Sequence, residues 1–484
     1  MQKSRSVFLA FIASVFFQEA NAQKFLGLAS QNNGGFYAAY QNPAFLADNR
    51  HGTQLHLLSG GLHLDNNYVR YAAPFSIFDL LRKKNDRPLD PNDLVEIRNG
   101  KPKNGTLTGE LRGPAVSFRL GKKTNLAVMT RVRSGVQVTD ASEQLMAIAR
   151  LGLANAQNLQ DFGILALFAS QSENKFNLTS QAYSEWAASL GQVLAENDAF
   201  RIKGGFTIKR YFGYAGGYVQ NQELNYRVLP DSSQVNSAYM QIDRFAATMG
   251  YTDASRASFL SPGWLFGRNA SGKGWGWDAG LVLELLDEDG EVPRVRLSAS
   301  VTDIGLIKYQ GAKVKNYQID AQNRQITEDE WRGYSSPREG ENQLNAFGRV
   351  LENEFGLTEA DNTGQFDIAT PAALNLSADL KLLKNIFVNA TVIQGINRAR
   401  TPQFRQTGLW AVTPRFESEQ IGLAFPVIHQ NGGWAVGAGL RAGPFVLGSD
   451  NLLGVFSRDG RFKAQGVDIY GGLSIALNKR NERR

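Results

Sequence analysis

The chain has 484 residues, no Cys and only four His, and it carries 52 Lys and Arg against 45 Asp and Glu. The absence of Cys excludes disulfides, thiolate catalysis and cysteine-based zinc sites. Four His leave little material for a catalytic triad or a metal centre. A net charge of +7 on so long a chain is weak evidence for nucleic acid, so we expect neither a nucleic-acid partner nor a cofactor. The 49 Gly exceed the usual share of about 7% and indicate many strands and tight turns.

Residues 1–22 have the three zones of a secretory signal peptide: a basic start, an apolar run over 7–17, and Ala20-Asn21-Ala22. The apolar run is too short for the roughly 20 residues of a spanning helix. We therefore expect residues 1–22 to be removed and the mature chain to begin at Gln23. Since no later stretch approaches 18 apolar residues, the exported chain is either soluble or a β-barrel.

Long period-two alternation follows the leader. Between Leu126 and Val138 the even positions are mostly apolar, while the odd positions are mostly polar or small. One apolar face sustained over thirteen residues is typical of a strand, not of a helix, and exceeds the usual five or six residues of a soluble strand. The same pattern recurs at 200–212, 275–283, 295–301, 374–382, 386–392, 434–442 and 467–477.

Strands of this length match the 9–11 tilted residues that cross a bilayer in a barrel. We predict an all-β fold: a transmembrane antiparallel β-barrel of about 14 strands over residues 51–477, with long extracellular loops and a basic tail at 478–484. The predicted location is the outer membrane, with its lipid as the surroundings. Trp275, Trp277 and Trp434 lie near strand starts, where an aromatic girdle is expected. The alternative is a periplasmic β-sandwich or propeller, whose strands also alternate.

Two stretches depart from the strand pattern. Residues 141–159 have helical spacing and predict a short helix in a loop. Residues 310–367 are polar and rich in Asn, Gln and Glu, which predicts long extracellular loops with Trp331 as an anchor.

Several motifs resemble chemical sites and depart from them at a necessary position. Residues 267–274 approach a phosphate-binding loop, but the last position is Gly instead of Ser or Thr. Residues 287–290 resemble the start of a calcium loop, but the twelfth position is Ser298 instead of Glu. The spacings of His51, His56 and His63 predict different strand faces, so these are interpreted as solvated or lumen side chains. No metal site and no catalytic residue are expected.

A row of basic residues alternates along the predicted strands on their inward face. The row has two interpretations: it guides anionic solutes, or it pairs with lumen acids such as Asp278 and Asp303 and holds the interior rigid. The second is favoured. The lumen-lining candidates are Arg131, Arg133, Arg201, Lys203, Lys209, Arg294 and Arg296.

Residues 36–47 read Phe-Tyr-Ala-Ala-Tyr-Gln-Asn-Pro-Ala-Phe-Leu-Ala. The box Asn42, Pro43 and Ala44 resembles the one that opens FadL-like outer-membrane barrels and PorV-like relatives. Residues 298–309 and 443–452 resemble an uncharacterised Bacteroidota branch of those barrels. The resemblance implies a barrel of 14 strands with a hatch, or plug, formed by residues 23–50. From the residues alone, an ordinary Asn-Pro turn on the periplasmic side is the alternative.

The favoured function is passive transport of small or hydrophobic solutes through the plugged lumen, with Gly204-Gly205 and Gly216-Gly217 as candidate strand kinks. The alternative, implied by PorV-like relatives, is an accessory barrel that binds proteins of type IX secretion or gliding. An outer-membrane enzyme is not expected, because no serine motif accompanies His429, the only late histidine.

Overall fold

The computed structural model describes residues 25–32, 34–48, 51–85, 87–153, 174–231, 237–253, 262–287, 292–333, 343–398 and 401–479. The predicted signal peptide lies outside the described residues, as does the basic tail beyond Lys479. Described strands are β1 (His51–Asn66), β2 (Val69–Tyr71), β3 (Leu94–Glu96), β4 (Lys103–Arg119), β5 (Thr124–Ala141), β6 (Asn177–Glu196), β7 (Phe200–Pro230), β8 (Ala238–Thr252), β9 (Gly272–Leu285), β10 (Val295–Gln310), β11 (Val314–Thr327), β12 (Gln365–Ala369), β13 (Ala373–Leu383), β14 (Ile386–Gly395), β15 (Leu409–Glu417), β16 (Ile421–Ala424), β17 (Val427–Gln430), β18 (Gly433–Val436), β19 (Ala438–Ala442), β20 (Phe445–Ser449) and β21 (Gly466–Lys479).

Short helices occur inside the barrel and in the connections between strands. None of the helices in the described parts of the chain has both the length and the apolar character that a membrane crossing requires. The α-helices are Leu26–Ala29, Phe36–Ala39, Ile77–Leu81, Glu143–Leu151, Pro262–Leu265, Glu328–Gly333, Gln343–Phe355 and Leu452–Val455, and the 3₁₀ helices are Pro43–Asp48, Pro91–Asp93 and Glu359–Asp361.

The main sheet closes on itself. Around the ring from β1, each strand pairs with the next in an antiparallel manner, in the order β4, β5, β6, β7, β9, β10, β13, β14 and β15. The next position is one interrupted strand formed by β16 and β17. It is followed by a second interrupted strand formed by β18 and β19, and then by β20 and β21. Strand β21 then pairs with β1 from His51 to Asp65. This gives 14 strand positions around the ring, so the predicted all-β barrel of about 14 strands is confirmed.

The alternation in the sequence separates the two faces of the wall. In β5, Met129 is 2% exposed on the inside, whereas Val128 is 39% exposed on the outside. Phe206, Leu281 and Leu297 are likewise exposed on the exterior. An apolar exterior around a closed antiparallel sheet is the architecture of outer-membrane barrels, which agrees with the predicted location.

One end of the barrel has short turns, such as residues 120–123 between β4 and β5, and the other end has the long connections. The predicted helix over 141–159 is observed as Glu143–Leu151, where the Ser142 hydroxyl accepts a hydrogen bond from the Leu145 amide as N-cap. Residues 154–159 lie outside the described residues.

The long loops predicted at 310–367 contain regular structure, namely β11, β12 and the helices Glu328–Gly333 and Gln343–Phe355, and Trp331 packs against a buried cluster as an anchor would. Strand β7 extends beyond the wall and pairs with β8, and β8 pairs with β11. We call residues 217–230, 238–252 and 314–327 the outer sheet. Its buried face, which includes Ile242, Met249 and Ile319, packs against helix Gln343–Phe355. The strand β11 was missed because its other face is exposed and polar, with Gln318, Asp320 and Gln322, so little apolar signal remains.

Candidate functional site in the barrel interior

Residues 25–32 and 34–48, which we call the internal segment, lie inside the barrel because they contact the wall on many sides. The Asn125 side chain on β5 donates a hydrogen bond to the Leu46 carbonyl at 2.9 Å. The Asn32 amide donates to Glu417 on β15 at 3.1 Å. The internal segment thus fills the place expected of a plug at residues 23–50, whose gating role stays a prediction.

The Asn42-Pro43-Ala44 box anchors the internal segment to the wall. The Asn42 side-chain NH₂ donates to the carbonyls of Leu281 on β9 and Ala299 on β10, at 3.2 and 3.3 Å. Its side-chain oxygen accepts from the Ala44 amide at 2.9 Å, which closes an Asx turn. Asn42 is 2% exposed, so one buried side chain fixes both the turn and its attachment.

Three glycines in one row across the wall make this close approach feasible. Gly191 on β6 pairs with Gly205 on β7, and Gly205 pairs with Gly280 on β9. An added Cβ at Gly191 would lie 2.7 Å from the Leu46 Cβ, and one at Gly205 would lie 2.6 Å from the Pro43 oxygen. The backbone of the internal segment approaches the backbone of the wall strands so closely that only glycine leaves enough space at these positions. At the predicted kink Gly204-Gly205, β7 keeps one register with β9 from Phe200 to Gly213, so no bulge interrupts this pairing. At the other predicted kink, Gly216-Gly217, β7 has left β9 after Gly213 and pairs with β8 from Gly217 onward.

Three of the predicted lumen-lining residues converge on one carboxylate. Arg131, Arg133 and Lys209 lie 3.0, 2.8 and 2.6 Å from Asp303, and Lys209 also lies 2.7 Å from Asp278. Asp303 has φ of 56° at a register shift in β10. This left-handed residue interrupts the alternation and brings its carboxylate into the lumen.

A second buried cluster joins the wall to the internal segment. Arg296 lies 3.4 Å from Asp379 and donates to the Ser30 carbonyl at 3.0 Å. Arg415, whose side chain is fully buried, pairs with Asp379 and with Glu417. The sequence reasoning missed Arg415, although it lies at an inward position of the alternating strand β15.

The remaining predicted residues lie near the short-turn end. Lys203 and Arg201 lie 2.6 and 3.2 Å from Glu284. Arg294 differs from the other six: it is exposed in the turn before β10 begins at Val295, so it does not line the lumen. The six inward cations each have a carboxylate partner, and this geometry favours the structural interpretation over guidance of anionic solutes.

The prediction that the histidine spacing places these residues on different strand faces is wrong for His56 and His63. His56 is 1% exposed and forms a hydrogen bond of 2.9 Å with Ser59, and His63 forms one of 3.3 Å with the buried Asp468. Both face the interior because a register shift between His56 and Leu58 changes the parity of β1. Within the described residues, no group of three or more His, Asp or Glu is arranged to hold a metal ion.

A cavity of about 100 Å³ lies in the long-loop half of the lumen. Leu26 of the internal segment forms one boundary, and residues 404–407 form another. These residues are tied to β5, since the Arg405 amide donates to the Gln137 side chain at 2.7 Å and its carbonyl accepts from that side chain at 2.8 Å. Leu409 and Ile428 give the cavity an apolar wall.

The cavity extends to a discontinuity in the wall, which we call the seam. Among the described residues, β18 pairs only with β17, and β21 pairs with β20 only over Tyr470–Leu473. Helix Leu452–Val455 contacts both β18 and β21 and occupies the seam. The cavity lining includes Gly433 and Trp434 on one edge and Gln465 and Gly466 near the other.

Asp450 connects the seam to the internal segment. Its carboxylate accepts a hydrogen bond from the Leu26 amide at 3.0 Å. The next residue, Asn451, caps the seam helix by accepting from the Gly454 amide at 3.0 Å and donates to the Gly466 carbonyl at 2.8 Å. These hydrogen bonds link the internal segment to the start of the seam helix through two consecutive residues.

The model of a protein family described as a family of unknown function, DUF5723, matches residues 43–450. The chain belongs to this family. The match begins at Pro43, the second residue of the Asn-Pro-Ala box, and ends at Asp450, before β21. The curated proteins include no match to the chain.

Among solved structures, the chain is similar to the Pseudomonas putida toluene transporter TodX, with 9% identity, coverage of 92% of this chain and 95% of the other, and a TM-score of 0.40. It is also similar to the Ralstonia pickettii toluene transporter TbuX, with 10% identity, coverage of 91% and 92%, and a TM-score of 0.36. A Pseudomonas aeruginosa FadL homologue is 11% identical, with coverage of 90% and 91% and a TM-score of 0.29. These low scores carry no argument about function.

Proposed function

We propose that the chain is an outer-membrane barrel that passes small hydrophobic solutes, with the internal segment as a plug and the seam as the lateral opening. The observation that carries the proposal is the cavity, which joins the apolar side chains of Leu26, Leu409 and Ile428 to the seam. No catalytic activity is proposed.

The size of the cavity indicates that the observed state is closed. An engineered apolar cavity of about 150 Å³ holds benzene, and the cavity here is about 100 Å³. A solute of that size therefore requires the internal segment or the seam to move. The buried ion pairs of Arg131, Lys209 and Arg415 hold the wall while the contacts of Leu26 and of the seam helix change.

The comparisons give no support to the alternative of an accessory barrel for secretion or gliding proteins. The PorV-like resemblance and the Bacteroidota origin stay predictions. The proposal instead follows from the connected cavity, seam and internal segment within one wall.

The test is the entry of a hydrophobic fluorescent dye into intact cells, since an intact outer membrane excludes such dyes. Cells that produce the protein are compared with cells that carry an empty vector. A pair of cysteines, at Gly433 and Gln465, is introduced to close the seam, because the Gly433 Cβ position is in contact with the Gln465 side chain. The chain has no native Cys to interfere.

We expect faster dye entry with the wild type than with the empty vector, loss of that gain when the cysteine pair is oxidised, and recovery after reduction. Single cysteine variants serve as matched controls. Dye entry equal to the empty vector, with protein amounts and folding verified, contradicts passage. Unchanged entry with a verified disulfide contradicts the seam as the route.

A further inference from the structure

Two loops at the long-loop end form a basic and aromatic surface beside the seam. We call it the basic rim. Its cations are exposed, as are Phe78, Phe456 and Phe462 at 37%, 48% and 47%. The basic rim consists of these three residues with Arg82, Lys83, Lys84, Arg458, Arg461 and Lys463.

The two loops hold each other in place. The Tyr71 amide donates to the Ala464 carbonyl at 2.9 Å, and the Asp459 amide donates to the Ala73 carbonyl at 2.7 Å. The rings of Phe78 and Phe456 are 5.3 Å apart. A buried apolar cluster that includes Tyr71, Ala73 and Ala464 lies beneath, so the exposed side chains stand on an ordered base.

The charge of the basic rim is unbalanced. Stretches 77–85 and 456–464 hold six cations and two carboxylates, Asp79 and Asp459, which leaves a net charge of +4. Asp79 already accepts hydrogen bonds from the Ser76 hydroxyl and amide. Among the described residues, no carboxylate lies within ion-pair distance of any of the six cations.

The basic rim adjoins the barrel wall at its long-loop end. Phe456 directly follows helix Leu452–Val455, which occupies the seam in the wall. Phe462 is four residues before β21 begins at Gly466, so it lies at most about 14 Å from the end of that strand. Exposed phenylalanine rings beside a barrel wall are expected at the boundary between headgroups and acyl chains, with the cations at the level of the charged groups.

We infer that the basic rim binds the phosphate groups of lipids in the leaflet on the long-loop side. Arginine presents a planar fork that matches phosphate, and lysine adds point charge. Each cation near an anionic surface contributes roughly a fivefold gain in binding. The phenylalanine rings enter the interface and distinguish a lipid from a soluble anion. This inference does not depend on solute passage.

The test uses the full protein in neutral detergent and measures the number and affinity of bound lipids by native mass spectrometry. The probe is lipid A, compared with dephosphorylated lipid A and with excess inorganic phosphate as competitor. The variant combines Arg458→Glu, Arg461→Glu and Lys463→Glu. The matched control combines Lys122→Glu, Lys123→Glu and Lys384→Glu, three exposed residues in turns at the opposite end of the barrel.

We expect saturable lipid A binding that the triple variant weakens roughly 100-fold and that the control variant leaves unchanged. Dephosphorylated lipid A is expected to bind poorly, and inorganic phosphate is not expected to displace lipid A. An equal loss in both variants, no loss in either, or full displacement by phosphate overturns the inference. Arg458→Gln, Arg461→Gln and Lys463→Gln replace the triple variant if the charge reversal prevents folding.

Discussion

Replacement of Gly205 by Val tests the attachment of the internal segment to the wall. The new Cβ would meet the backbone of Pro43 and Ala44, with the Pro43 oxygen at 2.6 Å, and neither backbone can rotate aside. Overpacking of this kind costs about 1–3 kcal/mol, and the two wall bonds of Asn42 add about 1 kcal/mol each. The sum of about 3–5 kcal/mol opposes docking, which lowers the docking equilibrium by roughly 100-fold to 4,000-fold.

Hydrogen exchange in detergent measures this loss. In the wild type the Asn42 amide donates to the Ala38 carbonyl at 2.9 Å and the Phe45 amide to the Asn42 carbonyl at 3.0 Å, so peptides over 36–48 are expected to exchange slowly. In Gly205→Val these peptides exchange quickly while the strand peptides stay protected.

The matched control is Gly204→Val on the same strand. Its Cβ points away from the internal segment and meets the flexible side chain of Leu194 at 2.9 Å. The control is expected to retain slow exchange over 36–48. Equal protection in both variants, or equal loss in both, refutes the reasoning that the glycine row accommodates the segment.

Three further predictions concern buried groups. Asp303→Asn weakens the partner of three buried cations and is expected to lower the free energy of unfolding by about 3–5 kcal/mol. The control Asp243→Asn, in a partly exposed ion pair, is expected to lower it by less than about 1 kcal/mol. Guanidinium titration in detergent compares the two variants, and equal losses contradict the burial argument. Asp450→Ala is expected to speed hydrogen exchange at Leu26 without loosening the strands, and unchanged exchange would show that this contact does not hold the segment. Glu352→Ala removes the hydrogen-bond acceptor of two tyrosine hydroxyls and a lysine in the outer sheet. The variant should be cleaved faster by protease within helix 343–355, while dye entry stays at the wild-type rate. Protease resistance like that of the wild type would contradict this.

The barrel was predictable because a lipid-facing strand has an apolar side chain at every second position. In β5 this alternation continues for long enough to distinguish a membrane-spanning strand from a strand of a soluble protein. The inward cations were also readable, because a polar residue at an inward position contrasts with apolar neighbours. Arg131, Arg133 and Lys209 were found in this way.

Features that depend on a single residue of register could not be predicted. The shift near Leu57 turns both His56 and His63 inward, and the left-handed conformation of Asp303 brings three cations together. Neither event leaves a compositional signal. The seam was missed for another reason. It arises where β20 ends early and a helix replaces strand pairing, but the alternation of residues in β18 and β21 is the same as in fully paired strands.

The central claim is a lipid-facing barrel wall with a filled interior, and a spin-label scan along β5 tests it most directly. The cysteine-free chain permits single labels at Val128 and Val136 and at Ala127 and Met129. In lipid bilayers we predict high collision rates with oxygen and low rates with a water-soluble nickel reagent at the two valines, and low rates with both at Ala127 and Met129. Rates without alternation, or strong access of the nickel reagent to the valines, would contradict a membrane-spanning barrel.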